Sequence, residues 1–249
     1  MPVYGFLLMA ATASTFGGGG SLFGARFPGP ESHPGAVIWQ AQYLAVSSIS
    51  RDLPHPDVDL EFSALDPGRG FLGAATGMRY RYHGAERHLV GGSASLGLRL
   101  GGGFGLGFAG AYEADQSMLD SLRWGVSYAA WRAPGGAGLI LGLDRDSAKT
   151  GDQSWRMSTA FRPVDGLQLG WDHRFDGSNY GAIKWRFGPA EWVGGFELDG
   201  DYQLGRYGSG LRWHDKGGWL GLTWGREKEV NRLSFELVVP VGQAARTAR

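Results

Sequence analysis

At 249 residues the chain could hold one large domain or two small ones, and its balance of 24 Lys+Arg against 24 Asp+Glu offers no case for a nucleic-acid partner. Forty-four glycines beside 10 Trp, 13 Phe and 9 Tyr favour many strands and turns over helices. The absence of cysteine excludes disulfides, zinc–thiolate sites and thiol nucleophiles, and no apolar run of about 18 residues provides a transmembrane helix.

Taken in chain order, Val3 to Ala10 is short and apolar, and Ala11-Thr12-Ala13 has the small residues of a cleavage site without a preceding Lys or Arg. This start fits a secretory leader, an ordinary first strand or a truncated gene start. Residues 14–70 are rich in Pro and Gly and read as a plug, a periplasmic extension or extra strands, apart from the barrel expected over 71–249. Within them, 36–47 (Val37, Trp39, Ala41, Tyr43, Val46) and 58–63 could form a hairpin, although Pro54, Pro56 and Pro67 argue for an irregular path.

From Leu72 onward, segments of about ten residues alternate with period two, as tilted barrel strands do. Leu72, Ala74, Thr76, Met78, Tyr80 and Tyr82 share one face, and Gly73, Gly77, Arg79, Arg81 and His83 the other. The division recurs. Val90, Leu96, Leu98 and Leu100 oppose Arg87, Ser93, Ser95 and Arg99; Phe104, Leu106, Phe108 and Tyr112 oppose Gly105, Gly107, Ala109 and Glu113. Leu122, Trp124, Val126 and Tyr128 oppose Arg123, Gly125 and Ser127; Trp155, Met157 and Phe161 oppose Arg156, Ser158 and Arg162. Further on, Leu167, Leu169 and Trp171 oppose Gln168, Gly170 and Asp172, and Ile183, Trp185 and Phe187 oppose Lys184 and Arg186. Leu233, Phe235, Leu237 and Val239 oppose Arg232, Ser234 and Glu236 at the end. A soluble sandwich with a ligand-binding face would also alternate.

Three features favour a membrane. Tyr82, Tyr112, Tyr128, Trp155, Trp171, Trp213 and Trp224 stand near segment ends, where a barrel places its interfacial aromatics. The opposite face mixes Gly, Ala and Ser with Arg, which suits a crowded lumen. Connections alternate in kind: tight turns at Gly101–Gly103, Pro134–Gly136, Pro163–Gly166, Gly188–Glu191 and Asp215–Gly218, looser ones around Asp115–Ser117, Asp144–Asp152, Asp176–Asn179, Asp199–Asp201 and Arg226–Asn231. The expected fold is therefore all-β: a closed, antiparallel, up-and-down transmembrane β-barrel of about 12 strands, with 14 possible.

Over most of its length this pattern resembles the Gram-negative outer-membrane barrel superfamily, which implies a bacterial outer-membrane location and the lipid bilayer as partner. One departure is that the superfamily commonly ends on an aromatic residue, whereas here Gln243 to Arg249 follow the last strand, so an assembly signal would be internal, around Phe235. Stretches such as Gly166-Leu167-Gln168-Leu169-Gly170-Trp171 and Tyr207-Gly208-Ser209-Gly210-Leu211-Arg212-Trp213 are similar to the Gly- and Trp-rich barrels of exopolysaccharide-biosynthesis proteins of the YjbH type.

With polar faces inward, the lumen would hold Arg79, Arg81, Arg87, Arg99, Arg123, Arg156, Arg162, Arg174, Lys184, Arg186, Arg212 and Arg232 against Glu113, Asp144, Asp172, Glu197, Asp199 and Glu236. That surplus of cations favours an anionic solute or an acidic polysaccharide; the competing expectation is that these charges pair and brace a blocked barrel. No catalytic role is expected. Asp172-His173 and His214-Asp215 are neighbours whose side chains point to opposite faces, and no nucleophile stands out for His83 or His214. Gly17–Gly20 and Gly101–Gly103 lack the Lys-Ser/Thr of a phosphate loop, and six scattered histidines give neither a metal site nor a cofactor.

Overall fold

The computed structural model describes residues 43–53, 57–66, 71–83, 87–101, 104–113, 121–131, 138–148, 153–175, 177–216 and 218–242. They form fourteen strands. These are β1 (Tyr43–Leu53), β2 (Val58–Asp66), β3 (Leu72–His83), β4 (Arg87–Gly101), β5 (Phe104–Glu113), β6 (Ser121–Trp131) and β7 (Gly138–Ala148). The second half comprises β8 (Gln153–Val164), β9 (Leu167–Arg174), β10 (Asn179–Phe187), β11 (Ala190–Leu198), β12 (Leu204–Asp215), β13 (Gly218–Glu227) and β14 (Val230–Gly242). Every strand pairs antiparallel with its sequence neighbours, and β1 also pairs with β14, from Tyr43 opposite Gly242 to Leu53 opposite Asn231. The ring therefore has no free edge.

The pleat sorts the side chains in the opposite sense to a soluble barrel. Along β13, Leu220, Leu222 and Trp224 are exposed while Trp219, Gly221, Thr223 and Gly225 are buried; along β14, Leu233, Phe235, Leu237 and Val239 are exposed while Ser234, Glu236 and Val238 are buried. Large apolar groups on the outside and charges within are what a hydrocarbon solvent selects. The rings do not meet across two stacked sheets. They pack sideways on the outer face, as Tyr207 does on Trp224 (centroids 5.8 Å apart) and Trp171 on Phe196 (6.1 Å).

At one rim the connections are mostly two residues long: 102–103, Asp165-Gly166, Gly188-Pro189 and 216–217. Tyr43 and Gly242 lie at this same rim. Gly166 shows why glycine is needed there: its φ is +80°, and a Cβ would sit 2.7 Å from the Arg186 carbonyl oxygen. The opposite rim carries 114–120, 149–152, 175–178, Asp199–Gln203 and Lys228-Glu229. In the loop at Asp199, the Oδ1 accepts from the backbone N–H groups of Asp201 (3.0 Å) and Gln203 (2.8 Å).

Several boundaries differ from those the sequence suggests. Residues 226–231, expected as a loose connection, are strand apart from Lys228 and Glu229, and Asp144–Ala148 belong to β7. The tight turn expected at Pro134–Gly136 falls between β6 and β7, outside the described residues. A hairpin does form from the Pro/Gly-rich region, but as β1 and β2, with Pro54 and Pro56 in its connection and Pro67 in the next. Pro163 lies within β8, and the β8–β9 register slips there, between Phe161 and Val164, because proline cannot donate to the ladder.

Candidate pore-lining site

Strands β10 to β14 run side by side, and their inner face carries Lys184, Glu191, Arg212, His214, Trp219 and Glu236 near the short-turn rim. Register places Glu191 opposite Arg212, Arg212 opposite Gly221, and Gly221 opposite Glu236. Gly221 has no side chain, so Arg212 reaches across it. The guanidinium donates from Nη1 to Glu191 Oε1 (3.2 Å) and from Nη2 to Glu236 Oε2 (3.3 Å). A Cβ on Gly221 would approach Arg212 Cγ to 3.1 Å. His214 Nε2 lies 3.6 Å from Glu191 Oε1, and the Arg212 guanidinium stands 5.6 Å from the centre of the Trp219 ring. Burial is nearly complete, with side-chain exposures of 0% for Arg212, 2% for Glu191 and 3% for Glu236.

A second charged belt lies toward the other rim. Tyr180 donates its hydroxyl to Glu197 Oε1 (2.8 Å), Arg206 bridges Glu197 (3.2 Å) and Glu227 (2.9 Å), and the Arg174 guanidinium stands over the Tyr180 ring at 5.5 Å. At the seam between β14 and β1, Arg232 grips Asp52 through Nε and Nη2, the latter at 2.8 Å, with Asp59 3.7 Å from Nη1. Between the belts the wall is bare, since Ala182, Gly195, Gly208 and Gly225 are successive cross-strand partners.

The structure thus assembles Lys184, Arg212 and Glu236 into one cluster and Arg174 and Glu197 into another, with Asp172 buried on the same inner face. Arg186 is exposed at the rim, its Nε donating to the Gly188 carbonyl (3.3 Å), and Arg99 is exposed near a register shift in β4. Arg79 and Arg81 stand in register with Glu61 and Asp59, Asp144 with Arg156, Arg123 with Asp146, Arg162 with Gly138 and Glu113 with Gly91. The side chains of Arg79, Arg81, Arg123, Arg156, Arg162, Glu113 and Asp144, and those of Tyr112 and Tyr128, lie outside the described residues. Among the interfacial aromatics, Trp171, Trp213 and Trp224 are exposed, and Tyr82 and Trp155 half-buried, all on the apolar face. Trp213 stands near the short-turn end of β12, whereas Trp171 is three residues from the end of β9.

The expected two-to-one surplus of cations is not reproduced among the described inner side chains. Arg212, Arg206 and Arg232 each stand between two carboxylates. Four of those, Asp52, Asp59, Glu191 and Glu227, were absent from the sequence inventory. No group of three or more His, Asp or Glu suited to a metal occurs among the described residues.

The chain has the fold of the KdgM porin. A TM-score of 0.50 relates it to KdgM porin and to KdgM porin in complex with disordered oligogalacturonate, in each case at 10% identity over 80% of this chain and 99% of that one. A bacterial polysaccharide outer membrane secretin matches at a TM-score of 0.45 and 11% identity, over 81% of this chain and 99% of that one. These neighbours lend no support to the likeness to YjbH-type barrels. No family model and no curated protein matches the sequence.

Proposed function

We propose that the chain is a bacterial outer-membrane β-barrel that passes anionic solutes, acidic oligosaccharides foremost, along its charged inner face. The observation that carries this is the inverted sorting of side chains: Leu220, Leu222, Leu233, Phe235 and Leu237 face outward while Arg212, Glu191, Glu236 and Lys184 are buried within. The choice of solute draws support from a fold shared with a porin solved with oligogalacturonate, and from Arg206 and Arg232, whose side chains stay a quarter exposed on the inner face. Arginine presents a planar fork of donors that matches a uronate carboxylate.

Reconstitution in planar bilayers tests it. Anion-selective conductance, reduced by added oligogalacturonate, is expected. Cation preference or the absence of any conductance would remove the transport role. A second reading, an interaction or anchoring barrel with a blocked lumen, is favoured by the completely buried Arg212 clamp. It predicts heat-modifiable migration on SDS gels with no conductance.

A further inference from the structure

The inner and outer pleats around the β14–β1 seam treat their arginines differently. Inside, Arg206, Arg212 and Arg232 are each held between two carboxylates. Outside, Arg226 on β13 and Arg51 on β1 are exposed near the longer-loop rim, and neither forms an ion pair among the described residues. The acids next to them in sequence, Asp52 and Glu227, point inward to Arg232 and Arg206, while Glu229 stays in the exposed turn after Lys228. Register sets Tyr207, Arg226 and Asn231 side by side on three adjacent strands, with Leu53 next in the row. One pleat repeat deeper, Arg51 stands between Leu233 and Val58, a diagonal neighbour of Asn231 at the ordinary sheet spacing of about 7–8 Å. The Arg226 Nε donates to the Lys228 carbonyl (3.0 Å), which ties the guanidinium to the hairpin turn. Toward the middle of the strands this outer face turns apolar: Tyr207 meets Trp224 edge-on (5.8 Å), and Leu222, Leu233, Phe235 and Ile49 are all exposed.

We propose that Arg51, Arg226 and Asn231 bind the phosphate headgroup of an anionic lipid in the leaflet at the longer-loop rim, its acyl chains lying over Leu233, Phe235 and Ile49. Charge complementarity is the first reason. Two guanidinium forks without a carboxylate, beside the Asn231 amide and the Tyr207 hydroxyl, offer the converging donors that a phosphate accepts, and Lys228 adds a further positive charge at the turn. Order along the wall is the second. Cations at the rim, an aromatic step at Tyr207 and Trp224, then aliphatic side chains follow the sequence of headgroup, interface and hydrocarbon in a lipid. A soluble acidic partner would match the arginines but not the apolar floor, and a neutral lipid would match the floor but not the arginines. Such a headgroup would touch β13, β14 and β1 together, and so brace from outside the seam that Arg232 and Asp52 hold from inside. The site rests on the membrane placement proposed for the chain and goes beyond it, since it lies on the outer wall and is independent of what crosses the bore.

Lipid retention tests it, read by native mass spectrometry of the full chain released from uncharged maltoside micelles that hold equal amounts of phosphatidylglycerol and phosphatidylcholine with the same acyl chains. The parent is expected to retain phosphatidylglycerol about tenfold or more over phosphatidylcholine, as two arginines facing an anionic headgroup supply. Arg51→Gln with Arg226→Gln is expected to abolish that preference. Arg186→Gln with Lys216→Gln, which removes the same charge from the short-turn rim, is expected to leave it intact. Equal retention of the two lipids by the parent overturns the site, and so does a preference that survives Arg51→Gln with Arg226→Gln. If that double variant fails to assemble, Arg226→Gln alone decides: a reduced preference supports the site and an unchanged one overturns it. Equimolar inorganic phosphate is expected to leave the bound phosphatidylglycerol in place; displacement would make this a site for a free anion and overturn the lipid. A barrel that needs detergent yet shows no headgroup preference loses only this site, whereas a protein monodisperse without detergent loses the membrane placement as well. No readout requires conductance, so failure of the transport role and failure of the lipid site are separable.

Discussion

Arg212 is the side chain on which the interior near the short-turn rim depends, because it is the cation between two buried carboxylates. Breaking a buried pair by removing one partner costs about 3–5 kcal/mol, whereas replacing the whole set by apolar groups of similar volume is near neutral or stabilising. Arg212→Ala is therefore expected to lower stability by about that amount in urea unfolding followed by tryptophan fluorescence, and the triple change Arg212→Met, Glu191→Leu, Glu236→Leu to restore most of the loss. An Arg212→Ala barrel as stable as the parent would mean that water reaches the clamp. Arg212 and Glu236 were legible in the sequence from alternation, but Glu191 was not. Gly188-Pro189 draws the eye to a four-residue turn ending at Glu191, when the turn closes after two residues and the strand resumes at Ala190. The signal was present in the period-two set Glu191, Val193, Gly195 and Glu197, which continues the inner face of β11. Asp52 and Asp59 were missed for a related reason: the prolines at 54 and 56 fall between β1 and β2, and they drew the flanking strand residues into a segment read as irregular.

Strands were far more legible than their ends. Side-chain alternation is dictated by burial of one face and survives any local detail, so the segments from Leu72 onward could be phased from apolar residues alone. Ends depend on turn chemistry, and the left-handed positions at Lys216 (φ 45°) and Lys228 (φ 52°) carry lysine, which gives no turn signal of the kind glycine or asparagine would. That is why 226–231 reads as a loop in sequence and folds as a two-residue hairpin connection. The outward face of β13 supplies a test at this scale. Leu222 stands mid-strand and Val241 at the short-turn end of β14, and both are exposed. In a bilayer, arginine on the lipid face costs about 2–4 kcal/mol at mid-depth and about 0–1 near the interface. Leu222→Arg is expected to destabilise the protein in lipid vesicles by the larger amount and Val241→Arg by the smaller. Equal, small effects at both positions would place this face in water and end the membrane assignment.

For the molecule as a whole, the decisive property is closure, since an open sheet in lipid would leave a row of backbone donors and acceptors unsatisfied along each edge. An even number of antiparallel strands brings the start of the first strand and the end of the last to one rim, and Tyr43 and Gly242 meet there as cross-strand partners. The seam is reinforced from inside by Arg232 on β14 gripping Asp52 on β1, residues 180 apart in sequence. Composition could announce a barrel, but the pairing of first strand with last is a long-range contact that no local pattern encodes. Ser234 offers an internal control, because its Cα partners are Thr223 on β13 and Ser50 on β1. In a chain free of native cysteine, Ser234→Cys with Thr223→Cys tests a local hairpin, and Ser234→Cys with Ser50→Cys tests the seam. Both pairs are expected to oxidise in the folded protein. The seam bond would close nearly the whole barrel into one covalent loop, so the unfolded, unreduced chain should run well ahead of its reduced form on a denaturing gel, while the hairpin bond should shift it little. A hairpin bond that forms readily beside a seam that never does would show that β1 and β14 are not neighbours, and that the strands lie as an open sheet instead of a ring.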